Sequence, residues 1–313
     1  MNEKLIVSTS PHIQTSYGTS KLMGNVLIAL IPAVAAATWI FGIRALILIL
    51  VSACSAMLFE HLWCMLLKKP TTIFDLSAAI TGVLLALTLP VGVPLYVPIV
   101  GTFFAIIVAK CLFGGLGNNF INPALAGRAF LLASYSLPMT TWVKPFYYKV
   151  DAVTTATPLK ILKAGGALDV GYWDLFLGNI GGSMGEVCAL ALIIGFLYLW
   201  ARKIIQPHIT ISYVATVALL GWFFGYNGIM TGDALTSILT GGVLLGGIFM
   251  LTDYTTSPTT RLGNVIAGIL AGCLTIFIRV KGGYPEGVCY SILLVNILAP
   301  QIDKLVVPRK YGA

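Results

Sequence analysis

The chain has 313 residues, of which 58% are hydrophobic and only 10% are charged, and its mean hydropathy is +0.93. A soluble domain carries about 25% charged residues, so this composition excludes an ordinary soluble protein and predicts an integral membrane protein. The net charge of +8 does not indicate a nucleic-acid partner, because Lys and Arg of membrane proteins collect at the cytoplasmic ends of helices.

Ten apolar segments predict an all-α polytopic membrane protein surrounded by lipid. In chain order, the predicted spans are residues 23–41, 45–67, 76–89, 97–113, 124–137, 185–200, 209–224, 235–251, 265–280 and 288–305. Several are shorter than the roughly 20 residues of a straight crossing, and Gly and Pro interrupt them. This pattern predicts broken or half helices. Residues 1–20 lack the apolar stretch of a signal peptide, so the spans are expected to direct insertion.

The polar interval 138–182 divides a single membrane domain into two halves, residues 1–137 and 183–313. With the N-terminus inside, the inner ends hold Lys4, Lys21, Lys68, Lys69, Lys110, Arg202, Lys203, Arg261, Lys304, Arg309 and Lys310. The short outer turns hold only Arg44, Arg279 and Lys281. The positive-inside rule therefore predicts that both termini are cytoplasmic and that the interval 138–182 lies outside. The lysines of this interval oppose that placement, but long loops follow the rule weakly.

Two segments five spans apart are similar. The run that starts at Asp75 and the run that starts at Asp233 both end in Thr-Gly-(Gly)-Val-Leu-Leu, and Gly114-Gly115 parallels Gly282-Gly283. Because five is odd, the two halves are predicted to cross the membrane in opposite directions, as in inverted repeats with sites at the repeat interface. Chance similarity of two Leu- and Gly-rich segments is the alternative.

The longest polar interval contains Asp151-Ala-Val-Thr-Thr-Ala-Thr-Pro158. Asp151 can set a turn, and Pro158 should keep Thr157 extended. Small neighbours should leave the Thr157 hydroxyl accessible to a modifying enzyme. Four lysines lie before and after Thr157 in the sequence, namely Lys144, Lys149, Lys160 and Lys163. Their positive charges would attract a phosphate-bearing group. An ordinary polar connector is the alternative interpretation.

The stretch Leu112-Phe-Gly-Gly-Leu-Gly-Asn-Asn-Phe-Ile-Asn-Pro-Ala124 predicts a helix end, a turn and a new helix. Its glycines and Asn118 or Asn119 tolerate positive φ, and Pro123 suits a first helical turn. A dinucleotide fingerprint would need a preceding strand, which this context lacks. Packing of a re-entrant elbow is favoured over a flavin contact through Gly114, Gly115 and Asn118.

Acidic residues near the spans are candidates for an ion pathway. Glu60 lies within the second span, whereas Asp75 and Asp233 precede spans and are expected to be helix N-caps. Asp253 follows the end of a span, and capping does not obviously explain it. It is therefore the candidate for the ion pathway.

Six cysteines are scattered singly, without a CxxC pair. They indicate neither a zinc site nor a self-contained iron–sulfur site, and small buried hydrophobes are the favoured interpretation. A cluster shared with a partner protein stays open.

The pattern Asp-x-x-Ser/Thr-x-Ala-Thr, matched by Asp151, Thr154, Ala156 and Thr157, resembles the acceptor sequence of proteins that carry FMN covalently on the last threonine. Residues 112–124 resemble a signature of one membrane family. That family comprises the RnfD proteins of Rnf-type ferredoxin:NAD oxidoreductase complexes and the NqrB proteins of sodium-translocating NADH:quinone oxidoreductases. Residues 8–12 and 251–258 also fit, and the resemblance covers essentially the whole chain. Its length is closer to the Rnf-type members.

This resemblance implies ten helices in two inverted halves in a prokaryotic cytoplasmic membrane. It also implies covalent FMN on Thr157, a second noncovalent flavin such as riboflavin in some members, and partner subunits that exchange electrons between ferredoxin and NAD while Na+ or H+ is transported. The chain itself shows no nicotinamide site, so NAD reduction is expected in a partner. A cofactor-free inverted-repeat transporter or channel and an assembly scaffold are the alternative functions.

Overall fold

The computed structural model describes residues 18–146, 154–166, 170–225, 228–283 and 286–307. Asp151, Lys149 and residues 8–12, which the sequence singled out, lie outside these ranges, as do Lys4, Arg309 and Lys310. The helices of the first half are α1 (Thr19–Phe41), α2 (Ile43–Leu66), α3 (Ser77–Leu87), α4 (Tyr96–Phe103), α5 (Pro123–Ser134) and α6 (Ser136–Thr140). A π-helical segment, Phe104–Cys111, continues α4.

The polar interval and the second half follow in chain order. The elements of the interval are strand β1 (Trp142–Val143), strand β2 (Thr154–Thr155), α7 (Pro158–Lys163) and α8 (Tyr172–Leu177). The second half contains α9 (Ala189–Ala201), α10 (Pro207–Phe223), strands β3 (Phe224–Gly225) and β4 (Gly228–Ile229), α11 (Ala234–Leu239), α12 (Val243–Leu245), the π-helical segment Gly246–Met250, α13 (Arg261–Lys281) and α14 (Val288–Leu305). Both strand pairs are antiparallel, and β1 aligns Trp142 with Thr155.

The prediction of an all-α polytopic membrane protein is confirmed. Among the described residues, α1, α2, α13 and α14 are long and apolar enough to cross a membrane, and four more apolar helices are shorter. Large apolar side chains on the outer faces, such as Trp39, Leu66 and Phe277, are more than 60% exposed. Such exposure is expected where the surrounding medium is lipid rather than water.

Local sequence explains where several helices begin and end. Gly42 adopts a φ of 77° and separates α1 from α2 by a single residue. Helix α5 begins at Pro123, as predicted, and the Asn122 side chain caps it by accepting hydrogen bonds from the N–H groups of Ala124 and Leu125. A proline at the first position needs no intrahelical donor, so this sequence starts a helix sharply at the elbow.

The packing relates the two halves element by element. Helix α2 packs against α3 and α4, and α10 packs against α11 and α13. Between the halves, α1 packs on α9 and α5 packs on α14. Corresponding elements therefore meet across one interface, although opposite crossing directions stay a prediction.

Two sequence-based expectations are wrong in detail. Asp75 does not cap α3, because Leu76 occupies the cap position with a φ of 59° and no side chain caps the helix. The sixth span begins at Ala189 instead of residue 185. The N–H of Gly185 instead donates to the carbonyl of Leu87 in the first half, so tertiary contact with α3 replaces the first helical turn. Asp233 does cap α11, as predicted, through hydrogen bonds from Leu235 and Thr236.

Candidate functional site

The segment that carries Thr157 joins β2 to α7. Thr157 is extended, with φ −69° and ψ 152°, and its side chain accepts a hydrogen bond from the N–H of Lys160 at 3.3 Å. The extended conformation before Pro158 confirms the prediction. The expectation of an accessible hydroxyl is wrong, because Thr157 is only 5% exposed.

The charged side chains that line a cleft with Thr157 are acids. Thr157 lines a narrow cleft together with Gly181, Glu186, Gly241 and Glu286. Of the lysines that the sequence placed around it, Lys144 and Lys160 are exposed, and the ammonium of Lys163 donates to the carbonyl of Gly282. None of the three described lysines lines this cleft, whereas two carboxylates do.

Arg128 of α5 holds both carboxylates. Its Nη1 donates to Oε1 of Glu186 at 3.0 Å, and its Nη2 donates to Oε2 of Glu286. Glu186 precedes α9 and Glu286 lies between α13 and α14, so one guanidinium joins three segments of the chain. Removing one member of such a buried group leaves a charge without compensation, which costs about 3–5 kcal/mol.

A break between α11 and α12 forms one wall of the cleft. Gly241 and Gly242 adopt φ values of 68° and 70°, a left-handed conformation that favours glycine. A Cβ on Gly242 would lie 2.7 Å from Oε1 of Glu186. The corresponding run in the first half, with a single Gly82, is continuous helix α3. The additional glycine of the second half therefore makes room for a carboxylate.

Arg279 of α13 stabilises this break. Its guanidinium is 2% exposed and donates to the carbonyls of Ser237, Thr240 and Gly241 at 2.8, 2.8 and 3.2 Å. These carbonyls have lost their helical partners at the end of α11, and a cation is favourable at that end of a helix.

A cavity of about 400 Å³ lies between α11 and α13. It shares Leu159 and Thr240 with the cleft at Thr157, and Arg279 lines it. At its rim, burial alone would raise the pKa of Asp233, but hydrogen bonds from Thr236 and Tyr172 outweigh burial and lower it. The volume falls within the range of about 300–1,000 Å³ that is typical of small-molecule sites.

A second, smaller cavity contains the ion-pathway candidate. Asp253 lines it with Ser77, Lys110, Asn119 and Asn122, among others, and its volume is about 80 Å³. We call it the Asp253 cavity. This volume holds water or an ion but is well below that of small-molecule sites.

The Asp253 carboxylate begins a tight turn. It accepts hydrogen bonds from the N–H and hydroxyl of Thr255 and from the hydroxyl of Thr256. Burial raises the pKa of Asp253, and these hydrogen bonds oppose the rise. Asp253 therefore has a structural role in holding this turn, contrary to the interpretation from the sequence that no local hydrogen bonding explains it. The same residue also lines the Asp253 cavity.

Asparagine side chains join the two halves beside the Asp253 cavity. Nδ2 of Asn119 donates to the Thr255 hydroxyl at 2.9 Å, and Nδ2 of Asn122 donates to the Met250 carbonyl at 3.2 Å. Oδ1 of Asn296 accepts a hydrogen bond from the N–H of Asn122 at 3.4 Å. These contacts place the Asp253 cavity where the two halves of the chain meet.

The elbow residues considered as an alternative for a flavin contact do not line these two cavities. Gly114 and Gly115 adopt φ values of 113° and 90°, as the turn requires, and neither lines either cavity. Asn118 is exposed, and neither it nor Asn119 has positive φ, which Gly117 adopts instead. The elbow therefore contributes Asn119 and Asn122 to the Asp253 cavity.

Sequence reasoning missed Arg128, Glu186 and Glu286, although isolated charges within or beside apolar spans are a recognised signal of function. It also missed the partner of Glu60, whose Oε1 accepts from Nζ of Lys110 at 2.9 Å. Lys110 is only 2% exposed and is paired with Glu60. It therefore should not be counted as a cytoplasmic charge under the positive-inside rule.

Comparison with known proteins supports the resemblance over the full length. The profile of the NQR2, RnfD, RnfE family matches residues 6–312. The D subunit of the Na(+)-translocating ferredoxin:NAD(+) oxidoreductase complex of Acetobacterium woodii is 47% identical, over 100% of this chain and 97% of the relative. The D subunit of the proton-translocating ferredoxin:NAD(+) oxidoreductase complex of Clostridium ljungdahlii is 44% identical, over 98% and 96%. The D subunit of the ion-translocating oxidoreductase complex of Escherichia coli is 36% identical, over 98% of each chain.

Proposed function

The chain belongs to the NQR2, RnfD, RnfE family, and we propose that it is the D subunit of an ion-translocating ferredoxin:NAD+ oxidoreductase complex. The observation that carries this proposal is the 47% identity to such a subunit along the whole chain. Its partners are then the other subunits of the complex. A cofactor-free transporter and a pure scaffold lose support, because the relatives are named as subunits of oxidoreductases.

Thr157 is proposed to carry FMN through a phosphoester bond. The acceptor pattern, the extended backbone before α7 and the adjacent cavity of about 400 Å³ support this assignment. When bound, a flavin supplies the electron chemistry, and the protein orients it and adjusts its electrostatic surroundings. In this chain, Arg279 provides a fixed positive charge at the cavity wall, and Arg128 compensates the two acids of the cleft.

The Asp253 cavity is proposed to belong to the ion pathway. It places Asp253 and Lys110 at the interface of the two halves, and its volume of about 80 Å³ suits a hydrated ion or waters. It does not fit a second, noncovalent flavin such as riboflavin. The coupling ion is Na+ in the name of one relative and H+ in that of another at nearly equal identity, so ion flux must be measured with each cation.

Both termini are proposed to be cytoplasmic and the segment with Thr157 extracytoplasmic, on the basis of the Lys and Arg distribution. Ala164 is exposed at the end of α7, so an Ala164→Cys variant reports the side. We expect labelling by an impermeant thiol reagent in intact cells, with the unsubstituted protein as control. Labelling only after lysis would reverse the orientation.

The proposed redox role is tested by isolating the complex through a tag on this chain. We expect partner subunits to be recovered with it, and flavin fluorescence to remain on its band after denaturing electrophoresis. The Thr155→Val variant, which alters a neighbouring hydroxyl, should keep the fluorescence. A chain recovered with its partners but without any covalent flavin would contradict the FMN assignment while leaving the membership of the complex standing.

A further inference from the structure

One oxygen atom beside the Asp253 cavity is buried without a donor. Asn119, at the elbow before α5, is 5% exposed and lines this cavity. Its Nδ2 donates to the carbonyl of Ile121 at 3.2 Å and to the hydroxyl of Thr255 at 2.9 Å. Because a carbonyl can only accept, these bonds fix the orientation of the amide. Oδ1 of Asn119 then has no hydrogen-bond partner among the described residues, and a buried acceptor of this kind is costly unless a donor or a cation satisfies it.

The carboxylate of Asp253 is the second oxygen group of the lining that can take a further partner. Its hydrogen bonds from the N–H and hydroxyl of Thr255 and from the hydroxyl of Thr256 are 3.4, 3.1 and 3.4 Å long, and an ionised carboxylate has about four acceptor positions. The other amide of the lining is different, because Oδ1 of Asn122 is occupied in capping α5. Asn119 and Asp253 therefore offer the free oxygen atoms.

The charges around the cavity sum to one uncompensated negative charge. Lys110 and Asp253 are the charged residues of its lining within the described ranges. Nζ of Lys110 is held by Oε1 of Glu60 at 2.9 Å and by the Ser77 hydroxyl at 2.7 Å, so its charge is already balanced. No described Lys or Arg forms an ion pair with Asp253. One monovalent cation would neutralise this carboxylate, whereas a divalent cation would leave an excess positive charge in a buried place.

We propose that Asn119 and Asp253 bind one monovalent metal cation, with the Oδ1 atom of the amide and the carboxylate as its protein ligands. Hard cations prefer oxygen ligands and complete their coordination with waters, and the volume of about 80 Å³ leaves room for waters. This inference rests on the ion-pathway role proposed above for the Asp253 cavity. It adds a second ligand and the charge of the ion.

The two ligands belong to different halves of the chain. Asn119 precedes α5, and Asp253 follows the π-helical segment Gly246–Met250. The structure connects them through the Thr255 hydroxyl, which accepts from Asn119 at 2.9 Å and donates to Asp253 at 3.1 Å. A shared cation would connect them directly. Because a ligand stabilises the arrangement that binds it, cation binding should restrain the elbow and the turn at Asp253 together.

Hydrogen exchange of the intact complex, read by mass spectrometry on peptides of this chain, tests the site. Exchange is compared in NaCl, KCl and choline chloride at equal ionic strength, and choline serves as the bulky organic control. We expect an alkali cation to slow exchange in the peptides around residues 112–124 and 251–258. Because the readout is local to these peptides, cation sites in partner subunits do not contribute to it.

Two variants of Asn119 separate a ligand from a structural residue. Asn119→Leu removes the oxygen, so the cation concentration for half-maximal protection should rise at least about tenfold. Asn119→Asp loses both hydrogen bonds of the amide but keeps an oxygen ligand, so cation-dependent protection should persist. Asn264→Leu is the matched control. It removes another buried asparagine with an unpartnered Oδ1, which does not line this cavity, and should leave the protection unchanged.

Equal exchange of the wild-type chain in all three salts would overturn the cation site. So would a loss of protection in Asn119→Asp as large as in Asn119→Leu, since that result is expected of a purely structural residue. Redox-driven uptake of Na+ and of H+ is measured on the same preparation. Uptake without cation-dependent protection would overturn this site alone, whereas protection without uptake would keep the site and overturn the ion-pathway role.

Discussion

Lys110→Met should strongly destabilise the protein, because it leaves Glu60 charged and buried. Nζ of Lys110 lies 2.9 Å from Oε1 of Glu60 and 2.7 Å from the hydroxyl of Ser77, and Glu60 is only 4% exposed. The Thr72 hydroxyl also donates to Glu60, but one neutral donor cannot replace an ammonium. Loss of one partner of a buried ion pair costs about 3–5 kcal/mol, and we expect a loss of that size.

A double-mutant cycle isolates the pair. The free energy of unfolding is measured by circular dichroism in detergent for Lys110→Met, Glu60→Gln and both together. Removing both charges together is often neutral, so the double variant should recover at least half of the loss. Lys69→Met, at an exposed lysine after α2, should change stability by less than about 0.5 kcal/mol. Equal losses in the single and double variants would refute the buried pair.

Three further outcomes follow from the site. Asp253→Asn should reduce ion transport, measured as redox-driven cation uptake into vesicles, more than covalent flavin content; normal transport would remove Asp253 from the pathway. Asp233→Ala should lower the free energy of unfolding by about 0.5–2 kcal/mol through loss of the α11 cap. Asp75→Ala, which removes no cap, should lower it less. Equal losses in the two variants would contradict the assignment of Asp233 as the cap. Gly242→Ala should destabilise the fold by more than about 1 kcal/mol. Its Cβ would collide with Glu186, and the φ of 70° is unfavourable for alanine. Thermal unfolding measures this loss, and an unchanged midpoint would show that the break between α11 and α12 does not require glycine.

The helical elements could be predicted because hydropathy reports burial in lipid directly. The tenth span was predicted at residues 288–305, and α14 has those bounds. The start of α9 and the cap of α3 could not be predicted, since both depend on tertiary contacts. Gly185 pairs with Leu87 across the two halves, which no local pattern in the sixth span reveals.

The candidate site was predictable only where its residues are consecutive. The acceptor pattern that ends at Thr157 can be found by reading along the chain. The acids of its cleft could not be found in this way, because Arg128 is 58 residues from Glu186 and 158 residues from Glu286. The break at Gly241 was hidden for a different reason. The second run of the repeat differs from the first by one additional glycine, and nothing in the sequence shows that this insertion changes the structure. In the fold it separates α11 from α12 and makes room for the carboxylate of Glu186.

The central claim, FMN on Thr157, is tested most directly by mass spectrometry of the purified chain. The intact mass should exceed that of the polypeptide by one FMN less one water, and fragmentation of the peptide around residues 150–162 should place the addition on Thr157. The Thr157→Val chain should insert normally and have the mass of the bare polypeptide. A wild-type chain of unmodified mass, or FMN retained on that peptide in Thr157→Val, would contradict the assignment.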